Sequence, residues 1–311
     1  MSEHHLAFIF PGQGSQAPGM GKDIAEASPA ARRVFDEIDE ALGFSISRLC
    51  FEGPEDQLRL TSNTQPAILA TSIAILAAIR ERYPDIEPDV VAGHSLGEYS
   101  AIVCAGGLKA PAAAKIVRAR GEFMQDAVPV GVGAMAAILG PDIDEIRAIC
   151  DDAAQGQVCS PANVNAPGQI VIAGNSEAVA RAIEIAKGRG VRKSLLLPVS
   201  APFHCALMTP AEERLRPILE AADFHALYVP LVTNVDASPV GTDHAVRNAL
   251  IRQVASPVRW TESVQQMIGM GVKKFVEVGP GAVLAGLVKR IDKSVEVVSV
   301  NNLATLEALG G

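Results

Sequence analysis

Val90-Val91-Ala92-Gly93-His94-Ser95-Leu96-Gly97-Glu98-Tyr99 joins an apolar run to a Gly-x-Ser-x-Gly pentapeptide, and small apolar residues continue at helical spacing through Ala101, Ile102 and Ala105. Strand, sharp turn and helix form the context in which that pentapeptide makes a nucleophile elbow. Its glycines are needed because the turn is tight and a Cβ would collide with neighbouring backbone. Such a turn lifts the Ser95 hydroxyl out of the sheet and sets it beside the N–H groups that open the next helix. There an oxyanion is stabilised. With 27 glycines in the chain, the pentapeptide alone is open to a chance match; the flanking strand and helix patterns single it out.

Working outward, 311 residues support a large core, in one domain with an insertion or in two. Only 4% of residues are aromatic, while Ala, Val, Ile and Leu abound, which suits a helix-covered, mostly parallel sheet. A net charge of −8 argues against a nucleic-acid partner. The five cysteines, Cys50, Cys104, Cys150, Cys159 and Cys205, are scattered without metal-ligand spacing, so no metal site or disulfide framework is expected. The start of the chain lacks a signal-peptide pattern, and the longest apolar stretch, residues 66–79, is short for a membrane span. A cytoplasmic protein with no membrane association is the expectation.

Leu6–Phe10 reads as a buried strand, followed by the loop Pro11-Gly12-Gln13-Gly14-Ser15-Gln16-Ala17. That loop matches a dinucleotide fingerprint in form, but Pro18, Gly19 and Gly21 break the helix that would have to hold a pyrophosphate. An approach of loop backbone to some other group is the better reading. A long Ala-rich helix opens at Thr64-Gln65-Pro66 and ends near Tyr83. The pattern changes at residue 128, where Pro129, Gly131 and Gly133 form a joint. Strand, helix, strand, turn, strand, helix, strand then follow to residue 198, the ferredoxin-like order. The expectation is an α/β core of residues 1–127 and 199–311, with residues 128–198 inserted as a small ferredoxin-like subdomain.

A serine nucleophile needs a base. Of six histidines, His4 and His5 are terminal, His94 adjoins Ser95 but points elsewhere in such a turn, and His225 and His244 lie in polar surroundings. His204, in Ala201-Pro202-Phe203-His204 where the chain re-enters the main sheet, is the candidate base.

Seven motifs, in order, resemble those of the malonyl-CoA:acyl carrier protein transacylases, the stand-alone acyltransferases of fatty acid synthesis. They are Phe10-Pro11-Gly12-Gln13-Gly14-Ser15-Gln16, Gly93-His94-Ser95-Leu96-Gly97-Glu98, Arg118-Ala119-Arg120-Gly121, Asn163-Val164-Asn165, Ala201-Pro202-Phe203-His204, Ser256-Pro257-Val258-Arg259-Trp260 and Glu277-Val278-Gly279-Pro280-Gly281. The resemblance implies a hydrolase-like α/β core with a small ferredoxin-like subdomain, and a Ser95 acyl-enzyme with His204 as base. It implies backbone donors at Gln13 and Leu96 for the oxyanion, and Gln253 as a neutral orienter of His204. Arg120 is then the holder of a substrate carboxylate, where helix position alone would leave it a surface arginine. Phe203 resembles the form of its motif that goes with malonyl, and Met124 and Asn165 join the substrate site. Malonyl-CoA and the phosphopantetheine form of an acyl carrier protein are the implied partners of a monomer that needs no cofactor. A malonyl-loading acyltransferase of a polyketide assembly line, a serine thioesterase and a dinucleotide-binding oxidoreductase are the alternatives.

Overall fold

Strand β1 (Leu6–Phe10) alternates its side chains between two buried faces, Phe8 and Phe10 into one core and Ala7 and Ile9 into the other. Apolar residues on both faces are what a central parallel strand requires. Its neighbours are β2 (Val90–Gly93) and β9 (Lys274–Val278), both parallel to it, with Phe10 opposite Gly93. In this computed structural model, which describes residues 6–199 and 201–310, the main sheet is completed by β7 (Leu231–Val232), β8 (Pro239–Val240) and β10 (Glu296–Val300). The order is β10-β9-β1-β2-β7-β8, parallel except for the β7–β8 pair. His4, His5 and Ser200 lie outside the described residues.

The Ala-rich helix runs Thr61–Arg82, opening three residues before Thr64 and carrying Pro66 inside it. Proline lacks the N–H that would reach back to the Ser62 carbonyl. The Arg118 guanidinium donates to that oxygen instead, at 3.1 Å, so the first turn persists. This helix is long and apolar enough to cross a membrane, yet 83% of its most apolar window is buried inside the fold. It packs against the helices Pro29–Leu42 and Ala110–Asp126.

Strands β3 (Gly133–Leu139), β4 (Cys159–Ala166), β5 (Gln169–Asn175) and β6 (Lys193–Leu196) form a second, antiparallel sheet in the order β4-β5-β3-β6. That is the ferredoxin-like arrangement. The helices Ile143–Ala154 and Ser176–Gly188 cover one face, over Ala136, Ile138, Ile170 and Ile172. Met135 and Val171 point the other way, toward the main sheet. The β4 edge is stitched to the larger unit by Val164 N–H to the Val258 carbonyl at 2.9 Å and Val258 N–H to the Ala162 carbonyl at 2.8 Å. A cleft is therefore left between the free face of the small sheet and the carboxyl ends of β1 and β2.

Candidate active site

At the end of β2 the chain turns through Ser95, whose φ of 52° puts it in the left-handed region, and enters the helix Gly97–Cys104. A side chain at such an angle is strained and has to be held by its surroundings. A Cβ on Gly93 would overlap the Gly97 carbonyl, and one on Gly97 would overlap the Phe10 carbonyl. Asn234, just beyond β7, pins the turn from the side. Its amide donates to the Gly93 carbonyl at 2.6 Å, and its oxygen accepts from Ser95 N–H at 2.7 Å.

The Ser95 hydroxyl lies 2.8 Å from His204 Nε2, and His204 Nδ1 donates to the backbone carbonyl of Gln253 at 3.1 Å. That second bond places the ring proton on Nδ1 and leaves Nε2 to accept from the serine. Burial, and then the nearby Arg120 charge, push the imidazole down to about 3, so it is held neutral. Gln253 thus meets His204 through its main chain. Its side chain is engaged elsewhere, donating to the Ser95 carbonyl at 2.9 Å and to Glu98 at 2.6 Å.

Arg120 is only 1% exposed. It donates to Gln65 Oε1 at 2.7 Å, to Gln253 Oε1 at 2.9 Å and to Ser95 Oγ at 3.0 Å. No carboxylate bonds it among the described residues, and its Nε has no partner there. A buried guanidinium whose hydrogen-bond partners are all neutral can receive an anion at the cavity.

A cavity of about 490 Å³ opens onto these groups, lined also by Gln13, Leu96, Met124, Asn165 and Phe203. The Gln13 and Leu96 N–H groups have no acceptor among the described residues. Gly12 comes so close to the His94 carbonyl that a Cβ would overlap it, so the loop after β1 meets the elbow backbone to backbone. Met124 is buried with its sulfur 3.8 Å from the Gln65 amide. Asn165, from β4, bonds His94 Nε2 at 2.8 Å, which turns the His94 ring away from Ser95. His225 and His244 are exposed. No cluster of metal-ligating side chains occurs among the described residues.

Comparison with known proteins agrees with this geometry. Residues 7–308 match the acyl transferase domain. The chain belongs to the acyl transferase domain family. The acyltransferase is 48% identical over 303 residues to the malonyl CoA-acyl carrier protein transacylase of Bacillus subtilis, covering 97% of this chain and 95% of that one. An acyl carrier protein S-malonyltransferase from Vibrio cholerae superposes with a TM-score of 0.95 at 49% identity, over 98% of this chain and 99% of the other. A malonyl-transacylase in complex with its type II PKS acyl-carrier protein does so with a TM-score of 0.95 at 46% identity, over 98% of each chain.

Two residues of the acyltransferase site were beyond reach of sequence reasoning. Asn234 follows a two-residue strand, and Gln65 sits in a polar first stretch of its helix, Thr61-Ser62-Asn63-Thr64-Gln65, where nothing sets it apart from its neighbours.

Proposed function

We propose that this acyltransferase moves a malonyl group from coenzyme A to the phosphopantetheine thiol of an acyl carrier protein, through an ester on Ser95. The observation that carries the reading is Arg120, a buried cation that lines the cavity, has no carboxylate hydrogen-bond partner among the described residues and lies 3.0 Å from the nucleophilic oxygen. Its planar fork takes a carboxylate in bidentate fashion. A malonyl group held there by its free acid end brings its thioester carbonyl to Ser95.

His204 Nε2 takes the Ser95 proton as the oxygen attacks that carbonyl. The resulting oxyanion is met by the Leu96 and Gln13 N–H groups. Collapse breaks the carbon–sulfur bond, and His204 returns its proton to the departing CoA thiolate. In the second half the carrier thiol gives its proton to His204 and attacks the ester. Collapse then breaks the ester bond, and the proton goes back to Ser95. A thiolate leaves readily, so the neutral Gln253 carbonyl suffices behind His204 where an amide substrate would call for an acid. Phe203 narrows the cavity beside the acyl group and disfavours a 2-methyl branch.

Residues 128–198 act in this scheme as the lid-side wall, and residues 1–127 and 199–311 carry the reacting groups. CoA and carrier protein are water-soluble partners, which supports a cytoplasmic location. Every reacting group comes from one chain, which supports action as a monomer. The likeness to a complex with a type II PKS carrier keeps polyketide loading as a second setting for the same chemistry.

The test is intact-protein mass spectrometry after mixing with malonyl-CoA. The chain should gain one malonyl mass and lose it to a carrier thiol faster than to water. Ser95→Ala should gain none. An adduct that persists in Ser95→Ala would overturn the assignment, and discharge mainly to water would make the protein a thioesterase.

A further inference from the structure

Glu98 follows directly on the elbow pentapeptide, yet no step of the transfer uses it. It is fully buried in the first turn of the helix Gly97–Cys104. Its Oε2 accepts from Gln253 Nε2 at 2.6 Å and lies 3.4 Å from Asn234 N, while its Oε1 has no partner among the described residues. Burying a carboxyl side chain in this way is costly unless its contacts serve something.

The contact it makes bears on Arg120. A primary amide has an acceptor end and a donor end with two hydrogens. Gln253 turns its acceptor end to Arg120, at 2.9 Å. Both hydrogens on the other end are used, one on the Ser95 carbonyl at 2.9 Å and one on Glu98. One such bond leaves the amide plane free to swing; two lock it.

The lock matters most once the enzyme is acylated. In the free protein the guanidinium is held by Gln65, Gln253 and the Ser95 hydroxyl. Acylation turns that hydroxyl into an ester oxygen, a poorer acceptor, and leaves the two glutamine side chains as its anchors. The direction of Gln253 Oε1 then decides how the fork faces the acyl group.

We propose that Glu98 is a positioning residue for acyl-group specificity: by accepting from Gln253 it fixes the amide that aims Arg120 at the substrate carboxylate. The inference rests on the proposed carboxylate-holding role of Arg120. Burial pushes the Glu98 carboxyl up to about 7, and Oε2 is an acceptor whether or not the proton is on Oε1. The lock therefore depends on shape and acceptor, and glutamine preserves both.

The experiment is a competition between malonyl-CoA and acetyl-CoA in one mixture, read as the ratio of the two acyl-enzymes by mass. Both substrates draw on the same folded molecules, so the ratio is independent of how much variant is folded. Glu98→Leu, with Glu98→Met as a second variant of different shape, should lower the malonyl-to-acetyl ratio about tenfold. Glu98→Gln should stay within about threefold of the parent chain, because the acceptor is retained. An unchanged ratio in the leucine and methionine variants, or an equal loss in Glu98→Gln, overturns the proposal. Arg120→Ala separates this from the underlying reading: a preserved ratio there means that the carboxylate clamp itself is wrong, whatever Glu98 does.

Discussion

Removing the Arg120 guanidinium separates a carboxylate-selective transferase from a general serine acyltransferase. In Arg120→Ala a bound malonyl group would place its carboxylate in a buried pocket with no cation. Breaking a buried ion pair in this way costs roughly 3–5 kcal/mol. At 1.36 kcal/mol per tenfold, kcat/KM for malonyl-CoA should fall by about two to four orders of magnitude. Water admitted to the emptied volume places the loss toward the lower end. The protein loses three donated hydrogen bonds as well, of 2.7, 2.9 and 3.0 Å, but the deletion also removes a cation that is only 1% exposed. These effects on folding oppose one another, so the melting temperature should move little. Acetyl-CoA brings no carboxylate, and its transfer should hold steady or rise. Arg120→Lys should recover part of the malonyl rate, since an ammonium carries the charge without the bidentate fork. The assay is kcat/KM for the two thioesters with a common thiol acceptor, alongside thermal melts. An equal fall for malonyl and acetyl would refute the reasoning and make Arg120 a structural residue.

Four further outcomes follow from the structure. Because the imidazole of His204 is pushed down to about 3 and its neutral form is the base, kcat/KM for acetyl-CoA should stay level as pH falls through about 6.5, the ordinary histidine value, and an acid limb centred there would contradict the geometry. The same shift means that the unfolded chain takes up this proton first, so stability should decline as pH drops below about 6.5 toward the folded value. Asn234→Ala leaves the Gly93 carbonyl and Ser95 N–H unpaired; stability should fall by about 2 kcal/mol and acylation by tenfold or more, and a variant with full rate and melting temperature would free Asn234 of its role. Lys187, Arg189, Arg192 and Lys193 fall within seven residues at the end of the small subdomain; Arg189 is paired with Asp152, which leaves the other three exposed near strand β6. Arg192→Glu with Lys193→Glu should raise KM for an acidic carrier protein in a salt-dependent way while acylation by malonyl-CoA is unchanged, and unaltered carrier kinetics would make the cluster ordinary surface.

The parts of the site carried by contiguous residues are legible in the sequence alone. The elbow is a local event: Gly93, Ser95 and Gly97 impose it within one turn, and the loop at Gly12 follows from the strand before it. The small subdomain showed through its alternation of strand and helix patterns. What escaped is held by distant partners. Asn234 bonds the Ser95 N–H across 139 positions, and Gln65 reaches Arg120 across 55. Neither has a sequence neighbour that announces its role. The early start of the helix Thr61–Arg82 is of the same kind, since the donor that replaces the missing Pro66 N–H comes from Arg118. Strand β8, two residues long, has too few positions to show a period.

If Arg120 holds the malonyl carboxylate as proposed, the charges around the nucleophile carry its selection beyond binding. In the free protein Arg120 is a buried cation near His204, and its field adds to burial in resisting protonation of the ring. Transfer of the Ser95 proton to Nε2 must create an imidazolium against that field. The neutral Gln253 carbonyl behind the ring offers little compensation. Two unit charges about 6 Å apart at an effective dielectric near 20 interact with about 3 kcal/mol. A malonyl carboxylate seated on Arg120 cancels most of that opposition as it binds, and so strengthens the base for its own transfer. An acetyl group brings no such charge and meets a weaker base. On this account Arg120 selects twice, once by holding the acid and once by withholding the base from acyl groups that lack one. A rise in acetyl transfer on Arg120→Ala is then the expected release of His204 from the same field.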